Sequence, residues 1–282
     1  MKLIESKVEV IEQQPGLEGV YKQIELAGRT CYKSEDKITE DSAKAFVDRM
    51  IKSKHGAMLE HGTVYLKATA KYCIEHDYWD MPQKLFASFF NKNKYSKLRT
   101  VESEDACDCY ITTNMRVIVE NNLFECLKYI CEPTEHHEKR ITARFTCDMG
   151  VGRELTRHRT LSFAQESTRY CNYGKSKFGS ELIFIRPEWY KKTLENTHAG
   201  FERFLEEAQE IYIALLDQGY AAQEARQALP LALKTEIVVT GFESDWEHFF
   251  SLRSPKYGAQ GVHPDMAKLA DELYEKLNSV NK

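Results

Sequence analysis

No stretch of this sequence stays apolar for the length of a membrane span. Met1 to Gly16 breaks its short apolar runs with Lys2, Glu5, Lys7 and Glu9, so it lacks the apolar core of a signal peptide. Both absences point to a soluble, cytoplasmic chain. Cys-x-x-Cys pairs are missing, although there are eight cysteines: Cys31, Cys73, Cys107, Cys109, Cys126, Cys131, Cys147 and Cys171. Scattered along the chain without a secretory signal, they read as reduced thiols. Cys107-Asp-Cys109 with the distant His136-His137 lacks the spacing of a zinc site, and no metal is expected. There is no internal repeat or low-complexity tract. A general excess of positive charge is also missing: the net charge is -4, which argues against a surface built to neutralise a nucleic-acid backbone.

What is present is the composition of an ordinary globular protein, 42% hydrophobic and 29% charged over 282 residues, enough chain to bury a sizeable core. Apolar spacing predicts helices over Thr39 to Lys54, Phe201 to Gln218, Glu224 to Leu229, and Asp245 to Leu252 with Ser244 as cap. A last helix opens at Pro264 and runs to about Leu277. Alternation predicts strands over Thr63 to Ala70 and Ile141 to Cys147, and Glu236 to Phe242 is β-branched. Between the first two strands, a polar stretch of about 75–139, with a helix over Thr113 to Ile130, reads as an insertion outside the main core.

Charge is placed unevenly. From Lys139 to Lys177, nine Lys or Arg face three acids, Asp148, Glu154 and Glu166. The densest part is Arg157-His158-Arg159-Thr160-Leu161-Ser162-Phe163-Ala164-Gln165-Glu166-Ser167-Thr168-Arg169-Tyr170. Guanidinium forks bind phosphate and carbonyl oxygens in pairs, and hydroxyls complete the cradle, so the pattern implies one anionic, oxygen-rich ligand. Charge alone would favour a solvated basic face. The spacing shifts the balance: Arg-His-Arg is placed at the C-terminal end of a short helix from Gly152, and Ser167 and Arg169 follow after a turn-like stretch, so two anchoring groups can converge.

Here the sequence resembles the flavin-dependent thymidylate synthases, whose hallmark is Arg-His-Arg, seven residues, Ser, and Arg two positions on. Arg157-His158-Arg159, Ser167 and Arg169 keep that spacing. Other landmarks follow in family order: Arg29-Thr30-Cys31, His55-Gly56-Ala57-Met58-Leu59-Glu60-His61, Glu224-Ala225-Arg226 before Leu229-Pro230, Phe249-Phe250-Ser251-Leu252-Arg253, and Ala259-Gln260. The resemblance implies transfer of a methylene group from methylenetetrahydrofolate to dUMP and its reduction, giving dTMP, with FAD supplying hydride and NADPH reloading it. It implies nucleotide contacts at Glu154, Arg157, Gln165, Glu166, Ser167, Thr168, Arg169, Arg226 and Arg253. Flavin contacts are implied at His55, Ala57, Glu60, Arg157, His158, Arg159, Gln165 and His248. Arg253 is the expected catalytic residue, because a fixed cation stabilises charge developing on the uracil ring. The expected fold is α+β, a central, mostly antiparallel sheet flanked by helices. It forms a single catalytic domain with an insertion at about 75–139, assembled as a homotetramer with shared active sites.

The sequence departs from the family pattern in several places. Cys31 stands for the early Ser, Ala57 for a Thr, Ala164 for Asn, Gln165 for Glu, Glu154 for Gln, and Phe242, Ser244 and His248 for polar residues near the C-terminus. Two other functions fit parts of the sequence. One is a nucleic-acid module stacking bases on Phe163, Tyr170 and Tyr173. The other is a thymidylate-forming enzyme that attacks dUMP with a thiolate, for which Cys147 and Cys171 are the candidates.

Overall fold

The computed structural model describes residues 1–73, 78–79, 88–103, 106–174 and 181–280. Ten strands occur among them: β1 Lys2–Ile4, β2 Lys7–Ile11, β3 Thr63–Cys73, β4 Tyr78–Trp79, β5 Lys97–Glu102, β6 Ala106–Asn114, β7 Arg140–Asp148, β8 Ser162–Gln165, β9 Ile183–Ile185 and β10 Lys234–Phe242. The fold is α+β, with two four-stranded antiparallel sheets where one central sheet was expected. One has the order β2-β7-β10-β8 and the other β4-β3-β6-β5, and a short parallel pair joins β1 to β9.

The first sheet is the scaffold of the site. β10 pairs with β7 from Lys234↔Asp148 to Phe242↔Arg140, and with β8 from Ile237↔Gln165 to Thr240↔Ser162. Val8, Ala143, Phe145, Ile237 and Val239 form one buried cluster with Trp246, Phe249 and Phe250 of the helix Glu243–Arg253 and with Met266, Leu269 and Leu273 of the helix Pro264–Val280. The three aromatics of Glu243–Arg253 anchor that helix to the sheet, which fixes the direction of Arg253 at its end. Gly241 permits the close approach of β8: a Cβ there would lie 2.2 Å from Leu161 Cδ2.

A second cluster unites the helices Gly16–Tyr32 and Ser42–Lys52 with the second sheet. Phe46 fills the space over Gly28, where a Cβ would meet its ring at 2.4 Å. The cluster includes Ile111 of β6, Met115 and Ile118 of the helix Met115–Glu120, and Cys126. The stretch expected to lie outside the core therefore supplies part of it, because β6 pairs with β3 along its whole length and carries its apolar side inward. A third cluster packs Leu205 and Tyr212 of the helix Glu195–Asp217 against Phe184 and Leu182.

Several local expectations are corrected. The helix placed over Thr113 to Ile130 is two pieces, Met115–Glu120 and a 3₁₀ turn Phe124–Tyr129. Thr113 belongs to β6, Asn114 caps the first piece by accepting from the Val117 amide at 3.1 Å, and Asn122 has a left-handed φ of 53° between the pieces. The helix over Thr39 to Lys54 is shorter, Ser42–Lys52. Ser244 is not a cap: the helix starts at Glu243, the Phe242 amide donates to Asp245 Oδ2 at 3.2 Å, and Ser244 Oγ donates to Glu138. Cys147 and Cys171 are buried free thiols whose pKa burial pushes up, so neither is a ready thiolate nucleophile. No helix among the described residues is long and apolar enough to cross a membrane.

Candidate functional site

The segment 157–170 is held by the chain on either side of it. Asp148 ends β7 and caps the helix Met149–Leu155, its Oδ1 accepting from the Val151 amide at 2.9 Å. That helix stops before Arg157, so Arg157 to Arg159 lie in the turn beyond it rather than in its last residues; the His158 amide donates to Leu155 O at 3.1 Å, and the Leu161 amide to His158 O at 3.0 Å. The chain then enters β8. Beyond β8 the Glu166 amide donates to Glu236 O at 2.8 Å and the Ser167 amide to Cys31 O at 2.9 Å, tying the segment to β10 and to the end of the helix Gly16–Tyr32.

On one side of this segment is a small group centred on Arg253. Its Nη1 donates to Glu154 Oε2 at 2.7 Å and its Nε donates to His158 Nε2 at 3.2 Å. An imidazole that accepts at Nε2 carries its proton on Nδ1, so His158 is neutral here. Burial first, then the charge of Arg253 and the nearby His248, push the His158 pKa down to about 4. Its ring meets the face of Phe249 edge-on, with centroids 5.0 Å apart. The Nη2 of Arg253 has no hydrogen-bond partner among the described residues, so a charged fork fixed at two points still has donors to offer a ligand.

Arg157, Arg159, Arg169 and Arg226 are exposed, and none has a carboxylate partner among the described residues. Arg226 Nη1 donates to Thr168 Oγ1 at 3.4 Å, the Arg169 amide to Ser167 Oγ at 3.3 Å, and the Arg169 guanidinium lies 5.4 Å from the centre of the Tyr170 ring. Guanidiniums without carboxylate partners beside two hydroxyls leave positive charge uncancelled here. Gln165 Nε2 donates to Thr235 Oγ1 at 3.3 Å.

Glu166 is placed differently. Its carboxylate is buried and accepts from Tyr173 Oη at 2.8 Å, Lys234 Nζ at 2.9 Å and the Glu236 amide at 3.2 Å. Both carboxylate oxygens have protein partners, so Glu166, expected among the direct nucleotide contacts, is held by the protein itself. Glu236 in turn pairs with Lys33 at 2.7 Å and Lys234 at 2.9 Å. Burial opposes the charge on Glu236, but Lys234 and Lys33 outweigh it and hold the carboxyl down to about 2. Burial opposes the charge on Lys234 as well, and Glu166 and Glu236 overcome it, raising its pKa. Sequence reasoning missed Lys33, Lys234, Glu236 and this role of Tyr173. The available signal was Lys234 and Glu236 two apart on a strand otherwise built of apolar and β-branched residues.

The residues before β3 divide. The helix Gly56–Leu59 packs against β8, and Ala57 on it is exposed. Glu60 accepts from Arg116 Nη1 at 2.6 Å, and its carbonyl accepts from Arg140 Nη1 at 2.9 Å, so its side chain is turned to Arg116. His55 makes no side-chain hydrogen bond among the described residues. Neighbouring His61 is buried, with Nδ1 2.9 Å from Thr240 Oγ1. A cavity of about 470 Å³ borders Lys33, Glu166, Tyr173, Lys234 and Glu236. A larger one, about 700 Å³, lies between 10–16 and the helices Glu243–Arg253 and Pro264–Val280, and no residue of 157–170 lines it.

The site is an α+β scaffold that presents guanidiniums without carboxylate partners and a doubly held arginine beside a neutral histidine. The family described as thymidylate synthase complementing protein matches residues 77–280, and the chain belongs to that family. It is 31% identical over 158 residues to a flavin-dependent thymidylate synthase of Pyrococcus furiosus, covering 56% of this chain and 64% of that protein. It is 27% identical over 162 residues to a probable flavin-dependent thymidylate synthase of Paramecium bursaria Chlorella virus 1, covering 53% and 74%. A third relative, the flavin-dependent thymidylate synthase of Geobacter sulfurreducens, is 35% identical over 100 residues, 36% of this chain and 41% of that one. The matched stretches thus span from under half to about three quarters of these relatives. Among solved structures, a UMP/dUMP methylase PolB from Streptomyces cacaoi bound with 5-Br dUMP aligns over 99% of this chain and 93% of that one, at 18% identity and a TM-score of 0.46.

Proposed function

We propose that this chain is a flavin-dependent thymidylate synthase: dUMP, methylenetetrahydrofolate, NADPH and a proton become dTMP, tetrahydrofolate and NADP⁺. The observation that carries the reading is the set of exposed guanidiniums, Arg157, Arg159, Arg169 and Arg226, without carboxylate partners on and beside a segment whose Arg-His-Arg and Ser-x-Arg spacing is that of the family. Relatives that carry this name support it.

In this reading Arg226, Arg169, Ser167 and Thr168 hold the nucleotide phosphate, whose charge the unpaired guanidiniums match. Glu154, Arg157 and Gln165 line the nucleotide, and Glu166 serves it through the segment rather than by contact. Arg253 faces the pyrimidine: Glu154 and neutral His158 fix its plane, and its charge stabilises negative charge that builds on the uracil carbonyl and ring nitrogen. A neutral His158 matters here, because an imidazolium would repel the guanidinium it now supports. The donor set fits FAD, since the exposed forks of Arg157 and Arg159 suit a pyrophosphate, with His158, His55, Ala57, Glu60, Gln165 and His248 as further contacts. When bound, the flavin supplies the hydride that completes the methyl group. The chain acts as one catalytic domain, in the cytoplasm, within a homotetramer whose subunits share active sites. Exposed Leu194, Phe204 and Ile211 give it apolar surface that subunit contact would cover.

The test is an absorption spectrum of the protein incubated with FAD, followed anaerobically with NADPH with and without dUMP, and a dTMP assay. Bound flavin that bleaches faster with dUMP, together with dTMP formation, is the expected result. A protein that takes up no FAD and forms no dTMP would sink the reading.

A further inference from the structure

The cluster around Glu166 sits directly behind the ligand segment. β10 separates two faces at this point. Thr235 bonds Gln165 on one, while Lys234 and Glu236 bond Glu166 on the other. By the two-residue alternation of extended backbone, holding Glu166 on one face turns Gln165 to the opposite one. Beyond Gln165 the ladder with β10 ends, and among the described residues two backbone bonds, to Glu236 O and Cys31 O, continue the attachment. The side-chain cluster adds a buried, charged attachment to these bonds at the strand end.

Its charges balance. Among the more buried groups, two carboxylates, Glu166 and Glu236, meet two ammonium groups, Lys33 and Lys234, with Tyr173 Oη as a further donor, while the more exposed Glu35 reaches Lys33 at 3.6 Å. Lys33 reaches the cluster because it ends the helix Gly16–Tyr32 in left-handed backbone, φ 47°, reversing the chain two residues after Cys31, whose carbonyl holds the Ser167 amide. One helix end therefore grips the segment by backbone and by charge.

We propose that Lys33, Lys234, Glu236 and Tyr173, acting through Glu166, are positioning residues that hold the Gln165–Arg169 segment in its ligand-binding form. The identity of the ligand as dUMP rests on the function proposed above; the grip on the segment does not. Taking away one charge leaves another buried and unpaired, whereas removing one of each sign keeps the cluster neutral.

The experiment compares wild type with Glu166→Gln, Tyr173→Phe and the double variant Glu166→Gln/Lys234→Met. Hydrogen exchange of the amides in 165–170 and of β7, dUMP affinity, kcat and melting temperature are measured on each FAD-loaded protein. Glu166→Gln is expected to speed exchange in 165–170 and weaken dUMP about tenfold each, equivalent to about 1.4 kcal/mol, with β7 amides and kcat at saturating dUMP within about threefold. The double variant recovers part of both losses. Tyr173→Phe, which removes the hydrogen bond to Glu166 and no charge, shifts both about threefold and keeps the test alive if Glu166→Gln does not fold. If exchange and affinity stay within twofold in every variant that folds while the melting temperature drops, the cluster is merely structural and the proposal is overturned. If wild type binds no dUMP yet the variants loosen 165–170, the nucleotide reading fails and the positioning role stands.

Discussion

Two charged groups flank the same short segment, and they are built on opposite terms. Arg253 with Glu154 is open, with side-chain exposures of 23% and 32% and donors left over. Lys234 with Glu166 is closed, at 9% and 2%, and Glu166 has protein partners on both carboxylate oxygens. Water screens the first pair, so its worth to folding is small and its donors remain available to a ligand. The second pair is shielded, so it contributes rigidity and tolerates no missing partner. Under the proposed function, chemistry belongs to the open group and precision to the closed one.

The largest expected effects separate these roles. Arg253→Ala should lower kcat/KM for dTMP formation about 1000-fold, the scale of losing a transition-state charge donor, about 4 kcal/mol. Unfolding free energy by urea titration should change by less than about 1 kcal/mol, because Glu154 is left with water. Lys234→Met should do the reverse in stability, losing about 3–5 kcal/mol because Glu166 and Glu236 keep their buried charge with one cation fewer. Equal stability losses in the two variants would erase the distinction between the groups.

A somewhat smaller effect comes from pH. His158 is held at about 4 in the folded protein against an ordinary 6.5, so the unfolded chain binds more protons between these values. Stability is then complete above pH 6.5 and falls as the pH drops towards 4, by about 3 kcal/mol for this residue. His61, pushed to about 3 mainly by burial, acts in the same direction. The measurement is consequently the difference in slope between wild type and His158→Gln from pH 7 to 5, where the variant should be flatter. The closed group contributes lower down: Glu236 has its carboxyl depressed from 4.5 to about 2, so its share is present above pH 4.5 and lost below. A variant as steep as wild type between pH 7 and 5 would mean that His158 is not held neutral by its surroundings.

The run Arg157 to Arg169 stood out in the sequence as a local excess of charge, whereas Glu154 and Arg253 were singled out only by the family resemblance, and their bond joins residues 99 apart. The strands β3, β7 and β10 followed from alternation and β-branching. The closed group was not legible. Lys33, Glu166, Tyr173 and Lys234 come from separate elements, and only the register Ile237↔Gln165 brings two of them together. A Glu in a donor-rich run looks like one more ligand contact until the pairing of β8 and β10 turns it inward. The break after Glu120 was hidden for a related reason: Val117, Ile118, Val119 and Leu123 keep helical spacing, while the backbone turns left-handed at Asn122 before Cys126 enters the core.

The smallest effect sharpens the comparison most finely. Glu154 bonds Arg253 from a position about a third exposed, with a side-chain exposure of 32%. Glu154→Gln keeps an oxygen that accepts from Arg253 Nη1 and removes only the charge, so stability should move by less than about 1 kcal/mol. Activity should fall less than about tenfold, as expected when geometry survives and only a screened attraction is lost. Glu154→Ala removes the acceptor too, leaving His158 alone to orient the guanidinium, and should cost about tenfold more than the amide variant. Steady-state dTMP formation decides between them. If Gln and Ala are equally impaired, the charge of Glu154 is what matters and the hydrogen bond does not orient Arg253. If neither is impaired, His158 suffices, and the open group reduces to an arginine resting on a neutral imidazole.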